Sequence, residues 1–398
     1  MTYTIIITLS ILLLLAYVFD ISSSKTKIPS VILLLLLGFF VKQISQSFNI
    51  LIPDLNPILP TIGTVGLILI VLEGALELEF NKEKKSLILK SSIVALLPIL
   101  FISFGLAYYL FYYESIDLKI ALANAIPFAI ISSSIAIPSA KYLMKSDREF
   151  VTYESSMSDI FGVIFFNFIT LNDDISSQAV GLFGFQFVLM LIISFVATLL
   201  LAGFLNKIKH HIKFVPMIII LLLIYATSKI FHLPALLFIL IFGLFVGNID
   251  ELRHIKFIQQ FHPDNFTKEV VKFREITTEL AFLIRAIFFI LFGFLINIDE
   301  LFNPKTIYYS LSIFAGILII RYLVLKLFRI PSNPLLYIAP RGLITILLFL
   351  SIPESQQLPF IDKSMITQVI ILSAFVMMFG LMNNKNKVEK TEEVEEAN

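Results

Sequence analysis

The sequence predicts an all-α polytopic membrane protein of about thirteen transmembrane helices, built as an inverted repeat with two broken helices. Three observations predict it. The 398 residues are 58% hydrophobic and 15% charged, with a mean hydropathy of +0.92. Apolar runs of membrane-spanning length recur along almost the whole chain. Lysine and arginine alternate between successive loops. The composition excludes a soluble multidomain chain and a disordered one.

The thirteen spans fall at about 2–19, 28–43, 57–76, 87–112, 119–140, 149–170, 181–205, 214–230, 233–248, 276–297, 306–327, 334–352 and 363–382. The first has no basic leader and no small-residue cleavage site, so it reads as a retained helix. Span 9 is short, and proline and glycine interrupt span 12. With 13 Tyr and 40 Phe but no Trp, tyrosine and phenylalanine must supply any interfacial aromatic belt. The absence of cysteine excludes disulfides, thiolate metal sites and thiol nucleophiles.

Charge tests the count. With the N-terminus outside, the inside positions hold 22 Lys and Arg, among them Lys25, Lys27, Lys82, Lys84, Lys85, Lys141, Lys145, Arg148, Lys209, Lys213, Arg253, Lys256 and Lys385. The outside positions hold five: Lys42, Lys119, Lys229, Lys305 and Lys363. This bias supports thirteen spans, N-out and C-in. Arg285, Arg321 and Arg341 lie within spans.

Span 2 starts Ile28-Pro29-Ser30 and reaches Gly38, and span 9 starts Leu233-Pro234-Ala235 and reaches Gly243. Span 3 carries Leu72-Glu73-Gly74-Ala75-Leu76 where span 10 carries Leu291-Phe292-Gly293-Phe294-Leu295. The offset of seven spans is odd, so the copies have opposite orientation. Spans 1–6 then repeat as spans 8–13, with span 7 as linker. Inverted repeats mark secondary transporters, whose sites lie where paired helices break near the midplane. Span 5 carries Asn124, Pro127, Ser132-Ser133-Ser134 and Pro138. Its partner, span 12, carries Pro340-Arg341-Gly342 and Thr345. Both are interrupted, and unwound backbone there can present carbonyls and dipoles to an ion.

Asp159 stands in the middle of span 6. A carboxylate at that depth costs roughly 2.5–3.5 kcal/mol on insertion scales, so it points to the binding or movement of charge. Ser155 lies one turn before it on the same face. Carboxylate, hydroxyl and carbonyl oxygens suit a hard monovalent cation. The alternative for Asp159 is a structural salt bridge to Arg321 or Arg341. Glu154 is nearer the cytoplasmic end and suits a structural pairing with an arginine. Arg321 and Arg341 need counter-charge in hydrocarbon and would balance Glu154 or Asp159 and the backbone breaks, without touching substrate. For Ser132–Ser134 the alternative is helix-packing glue. Glu73 and Arg285 are further candidates.

His210, His211, His232, His254 and His262 all fall in loops or at helix ends. No histidine pairs with an intramembrane acid, and no phosphate loop or nucleophile elbow is present. An intramembrane enzyme is therefore disfavoured, and no cofactor is implied. The basic residues are a topology signal and not a nucleic-acid surface. A channel or uniporter of the same architecture is the alternative to an exchanger. After Met382 the short tail, 383–398, reads as disordered and cytoplasmic.

The motifs resemble the monovalent cation:proton antiporter superfamily of sodium/proton exchangers and potassium-efflux relatives, across essentially all of 1–382. Thr64-Val65-Gly66-Leu67 through Leu76-Glu77-Leu78 resembles its third-helix pattern. Ile131-Ser132-Ser133-Ser134 resembles the Ser-Ser-Thr segment of its unwound fifth helix. Glu154-Ser155 with Asp159 resembles its Glu-Ser-x-x-Asn-Asp motif, with Ser158 standing where relatives carry Asn or Asp. Phe288-Phe289 with Gly293, and Arg341-Gly342, resemble two further motifs. The resemblance implies a moving core (about 86–170 and 306–382) and a scaffold that dimerises (about 1–80 and 181–297), in a bacterial cytoplasmic membrane. It implies Asp159 as the shared Na+ or K+ and proton site, with Ser155, Ser158, Ser133 and Ser134 as auxiliary oxygens. Glu154, Arg321 and Arg341 become the electrostatic frame. One carboxylate in place of two implies electroneutral exchange.

Overall fold

Backbone buried in lipid must satisfy its own N–H and C=O groups, and uninterrupted apolar runs do so by closing into helices. The computed structural model describes all residues except 1, 27, 51, 53, 79–82, 141–142, 173–176, 208–213, 232, 234, 249–262 and 397–398. The five histidines lie outside the described residues, as do Pro234, Lys82, Lys141, Lys209, Lys213, Arg253 and Lys256.

Spans 1–4 are α1 (Thr2–Thr26), α2 (Ser30–Ser47), α3 (Leu59–Glu77) and α4 (Lys85–Tyr113). Span 5 divides into α5 (Leu118–Ala129) and α6 (Ser133–Ala140). Spans 6–10 follow as α7 (Lys145–Leu171), α8 (Ser177–Lys207), α9 (Phe214–Ile230), α10 (Ala235–Gly247) and α11 (Pro263–Leu295). A single turn, α12 (Ile298–Leu301), leads to span 11, α13 (Pro304–Leu327). Span 12 retains only α14 (Leu343–Leu350), and span 13 is α15 (Lys363–Glu396). The described elements are all helical.

Among the described residues, nine helices are long and apolar enough to cross a bilayer. The other four expected spans each depart for a visible reason. α7 carries the polar run around Asp159. α9 and α10 have 17 and 13 residues. At 1.5 Å per residue α10 is about 20 Å long, short of a hydrocarbon core of about 30 Å. It is packed between α3 and α8 and largely buried.

Span 12 departs most. Residues 329–342 form turns and extended backbone in place of a half-helix. Pro331, Pro334 and Pro340 each remove a donor that a helix would need. The tail also differs from expectation. α15 continues to Glu396, so residues 383–396 of the segment expected to be disordered are helical; the sequence there is rich in Lys and Glu and has no Gly or Pro after Gly380.

The inverted repeat is visible in the packing. α2 packs on α11, and the related pair α10 and α3 also pack. α4 packs on α7, and its counterpart α13 packs on α15. The repeat glycines make two of these crossings close. A side chain at Gly38 would strike the Ile290 carbonyl of α11, and one at Gly243 would strike Ala75 of α3. Gly293 lies against the Leu35 backbone of α2. Its counterpart Gly74 faces α7 instead, where an added Cβ would meet Ser156 Oγ at 3.4 Å. This departure from symmetry leaves room beside Asp159.

Candidate ion-binding site

The site is built on the two breaks. At 130–132 the backbone leaves the helix, and the groups so freed find partners from other spans. Ile131 N–H donates to Ser158 Oγ at 2.9 Å. Ser132 N–H donates to the Pro340 carbonyl at 2.9 Å, joining the two breaks directly. Gly342 crosses so close to the start of α6 that a Cβ would overlap Ile135 and lie 3.0 Å from Ser132 Oγ.

Arg341 satisfies the open carbonyls at the C-terminal end of α5. Its Nε donates to Phe128 O at 2.8 Å and its Nη2 to Ala129 O at 3.2 Å. Its Nη1 reaches Ala339 O at 2.6 Å. A cation at a helix C-terminus opposes the macrodipole and supplies the missing donors. The Arg341 backbone N–H is held by Ser373 Oγ of α15 at 2.9 Å.

Arg321 and Glu154 form a bidentate pair at 2.6 and 2.9 Å, with both side chains buried. Arg321 Nε and Nη2 also donate to Leu335 O at 2.9 and 2.7 Å, and Nη2 to Ile338 O at 3.1 Å. One arginine thus ties α7 to the irregular half of span 12. The expected frame of Glu154, Arg321 and Arg341 comes together, but neither guanidinium is a hydrogen-bond partner of Asp159.

Asp159 is only 6% exposed. Its Oδ2 accepts a short hydrogen bond from Ser133 Oγ, and its Oδ1 is buried with no hydrogen-bond partner. A carboxylate oxygen left bare in an apolar setting is costly unless a proton or cation meets it. The donor set around it suits either one.

The other expected ligands are placed unequally. Ser155 Oγ donates to Val151 O at 2.7 Å on its own helix and is not among the residues that line the cavity beside Asp159. Ser158 is engaged by Ile131 N–H, so it serves the break. Ser134 and Ser132 bond each other at 2.8 Å. Ser156 was not expected. Its Oγ is buried without a partner and lines the same small cavity as Asp159, with Ser133 and Gly74. The three-residue spacing from Asp159 is the sequence signal for it.

That cavity has room for one or two waters and adjoins a larger one of about 600 Å³. Ile70, Gly74 and Ser133 line both. Asp20, Glu73, Glu77, Glu279 and Arg285 line the larger cavity. It reaches the ends of α1 and α3 that precede the basic loops. Arg285 Nη2 lies 3.7 Å from Glu73 Oε2, and its Nη1 donates to Ser134 O at 3.2 Å. Four carboxylates and one guanidinium give the larger cavity an acidic lining.

An inverted repeat around crossed, unwound spans, with a bare carboxylate at the end of an acidic cavity, defines a secondary transporter and not an enzyme. The profile described as sodium/hydrogen exchanger, transmembrane, matches residues 9–382, and the chain belongs to that family. Two solved structures of the sodium proton antiporter MjNhaP1 from Methanocaldococcus jannaschii share the fold with a TM-score of 0.66 each. The one described at pH 8 is 20% identical and covers 96% of each chain. The other, from an electron-microscopy map, is 18% identical and covers 98% of this chain and 97% of that one. No curated protein sequence matches. The chain is thus an integral membrane antiporter of the cation:proton class.

Proposed function

We propose that Asp159 is the shared site at which this protein exchanges one Na+ or K+ for one proton, electroneutrally. The observation that carries the proposal is the buried Asp159 Oδ1 without a partner, beside Ser133 and next to the acidic cavity. Proton and cation compete for one carboxylate, so their fluxes are coupled without a second site. Ser133, Ser155 and Ser156 supply auxiliary oxygens. Ser134 and Ser158 act through the break, and Glu154, Arg321 and Arg341 hold that break in shape.

Asp159 is the one acid lining the small cavity among the described residues, which supports one charge in each direction. A core of α4–α7 and α13–α15 rocks against a scaffold of α1–α3 and α8–α11, and the scaffold forms a homodimer. The N-terminus is outside and the C-terminus inside a bacterial cytoplasmic membrane. The cavity then faces the cytoplasm, and Glu73 with Arg285 lies on the entry path.

The test is exchange in proteoliposomes with the membrane potential clamped at different values. Electroneutral exchange gives cation-driven pH changes that do not vary with potential, and side-by-side Na+, K+ and Li+ titrations set the ion preference. Voltage-dependent exchange overturns the stoichiometry.

A further inference from the structure

We propose that a groove between α4 and α13, remote from the ion site, binds one phospholipid with an ammonium headgroup. The groove is a cavity of about 420 Å³, within the range of about 300–1,000 Å³ for small-molecule sites. Its floor is apolar, formed by Ile102, Leu106, Ile313, Ile320 and Met365. Two glycines keep it open. Gly105 on α4 and Gly316 on α13 both line it, and a Cβ added at either meets no atom within 4 Å. A glycine inside a helix lowers helix stability, and close packing accounts for neither of these.

The rim has a different chemistry. Tyr109, Tyr308, Tyr309 and Phe360 lie around it, all at least partly exposed, with Glu114 as its one charged lining residue. They sit where α4 ends and α13 begins, which is one end of the bundle. Tyr113 extends the aromatic surface, its ring centroid 5.1 Å from that of Tyr109. Tyrosines at this level match the headgroup region of a bilayer. Aromatic faces beside a carboxylate attract an ammonium ion and repel an anionic headgroup. An apolar trough ending in such a rim fits one acyl chain and its cationic head. By the lysine distribution this is the outer leaflet.

The experiment is native mass spectrometry of the full chain with dioleoyl phosphatidylethanolamine and, separately, dioleoyl phosphatidylglycerol. The wild type is expected to retain the ethanolamine lipid over the glycerol lipid by about fivefold, the scale of a partly exposed cation–π contact. Gly316→Leu fills an open space and favours helix, so it folds, and it is expected to lose the retained lipid. Glu114→Gln is expected to keep lipid with a reduced headgroup preference, because the aromatic rim remains. Equal retention of the two lipids by the wild type overturns the proposal, as does unchanged retention by Gly316→Leu.

Discussion

Glu154 and Arg321 meet through two hydrogen bonds, at 2.6 and 2.9 Å, in a setting where neither side chain reaches solvent. The pair is supported by span 12, whose Leu335 and Ile338 carbonyls accept from the Nε and Nη2 of the same guanidinium. Removing one partner strands a buried charge, at a cost of about 3–5 kcal/mol. Glu154→Gln and Arg321→Met are each expected to lower thermal stability strongly. The double variant Glu154→Met with Arg321→Met is expected to lose clearly less than the sum of the two single Met variants. Thermal unfolding of the purified proteins gives the cycle.

The hydroxyls around Asp159 divide by what they touch. Ser133→Ala removes the donor on Oδ2 and is expected to raise the apparent KM for the cation by roughly ten- to a hundredfold, the scale of one hydrogen bond to a charged group. Ser158→Ala strips the partner from Ile131 N–H and is expected to act on stability. Cation-driven pH changes in proteoliposomes, read beside thermal unfolding, separate the two.

Competition at one carboxylate fixes the sign of the pH response. On the proposed competition only the deprotonated form binds the cation, so the apparent KM is expected to fall as pH rises, by at most about tenfold per unit, and to level off once Asp159 is unprotonated. Titrations of the cation at several pH values check it. A KM that rises with pH contradicts single-site competition.

Two contacts join α11 to its neighbours, one to α6 from midway along the span and one to α15 at its C-terminal end. Arg285 reaches Ser134 O at 3.2 Å, while Lys363 reaches Leu295 O at 3.1 Å and lies 5.9 Å over the Phe292 ring. Each stabilises the arrangement described. Arg285→Ala and Lys363→Ala are therefore expected to shift the population toward the opposite-facing state, by about fivefold for each kcal/mol lost. The chain has no cysteine, so Ile137→Cys in the large cavity is a unique label. Its labelling from the cytoplasmic side is expected to fall in both variants.

Much of this arrangement is legible in the sequence because lipid removes alternatives. Asp159 is conspicuous where every charge is costly, and the serine run with Pro127 and Pro138 marks the break of span 5. Gly38 and Gly243 show the repeat, and the packing of α2 on α11 and α10 on α3 repeats it. Pairings between spans are less legible. Two arginines and two acids allow several matches, and only tertiary packing puts Arg321 on Glu154 and Arg341 on carbonyls. The hydroxyl that touches Asp159 belongs to span 5, so spacing within span 6 pointed to Ser155 first. Ser156 is not legible from spacing alone, because its place at the cavity depends on the room left by Gly74. The prolines of span 12 signalled an interruption, but not that the whole segment before Gly342 is unwound.

The most direct test of the central claim is cation-driven proton exchange by Asp159→Asn in proteoliposomes, beside the wild type and with folding confirmed by thermal unfolding. The amide cannot take up a proton or offer a negative charge to Na+ or K+. Folded protein with no exchange is the predicted result; exchange near the wild-type rate would contradict Asp159 as the shared site.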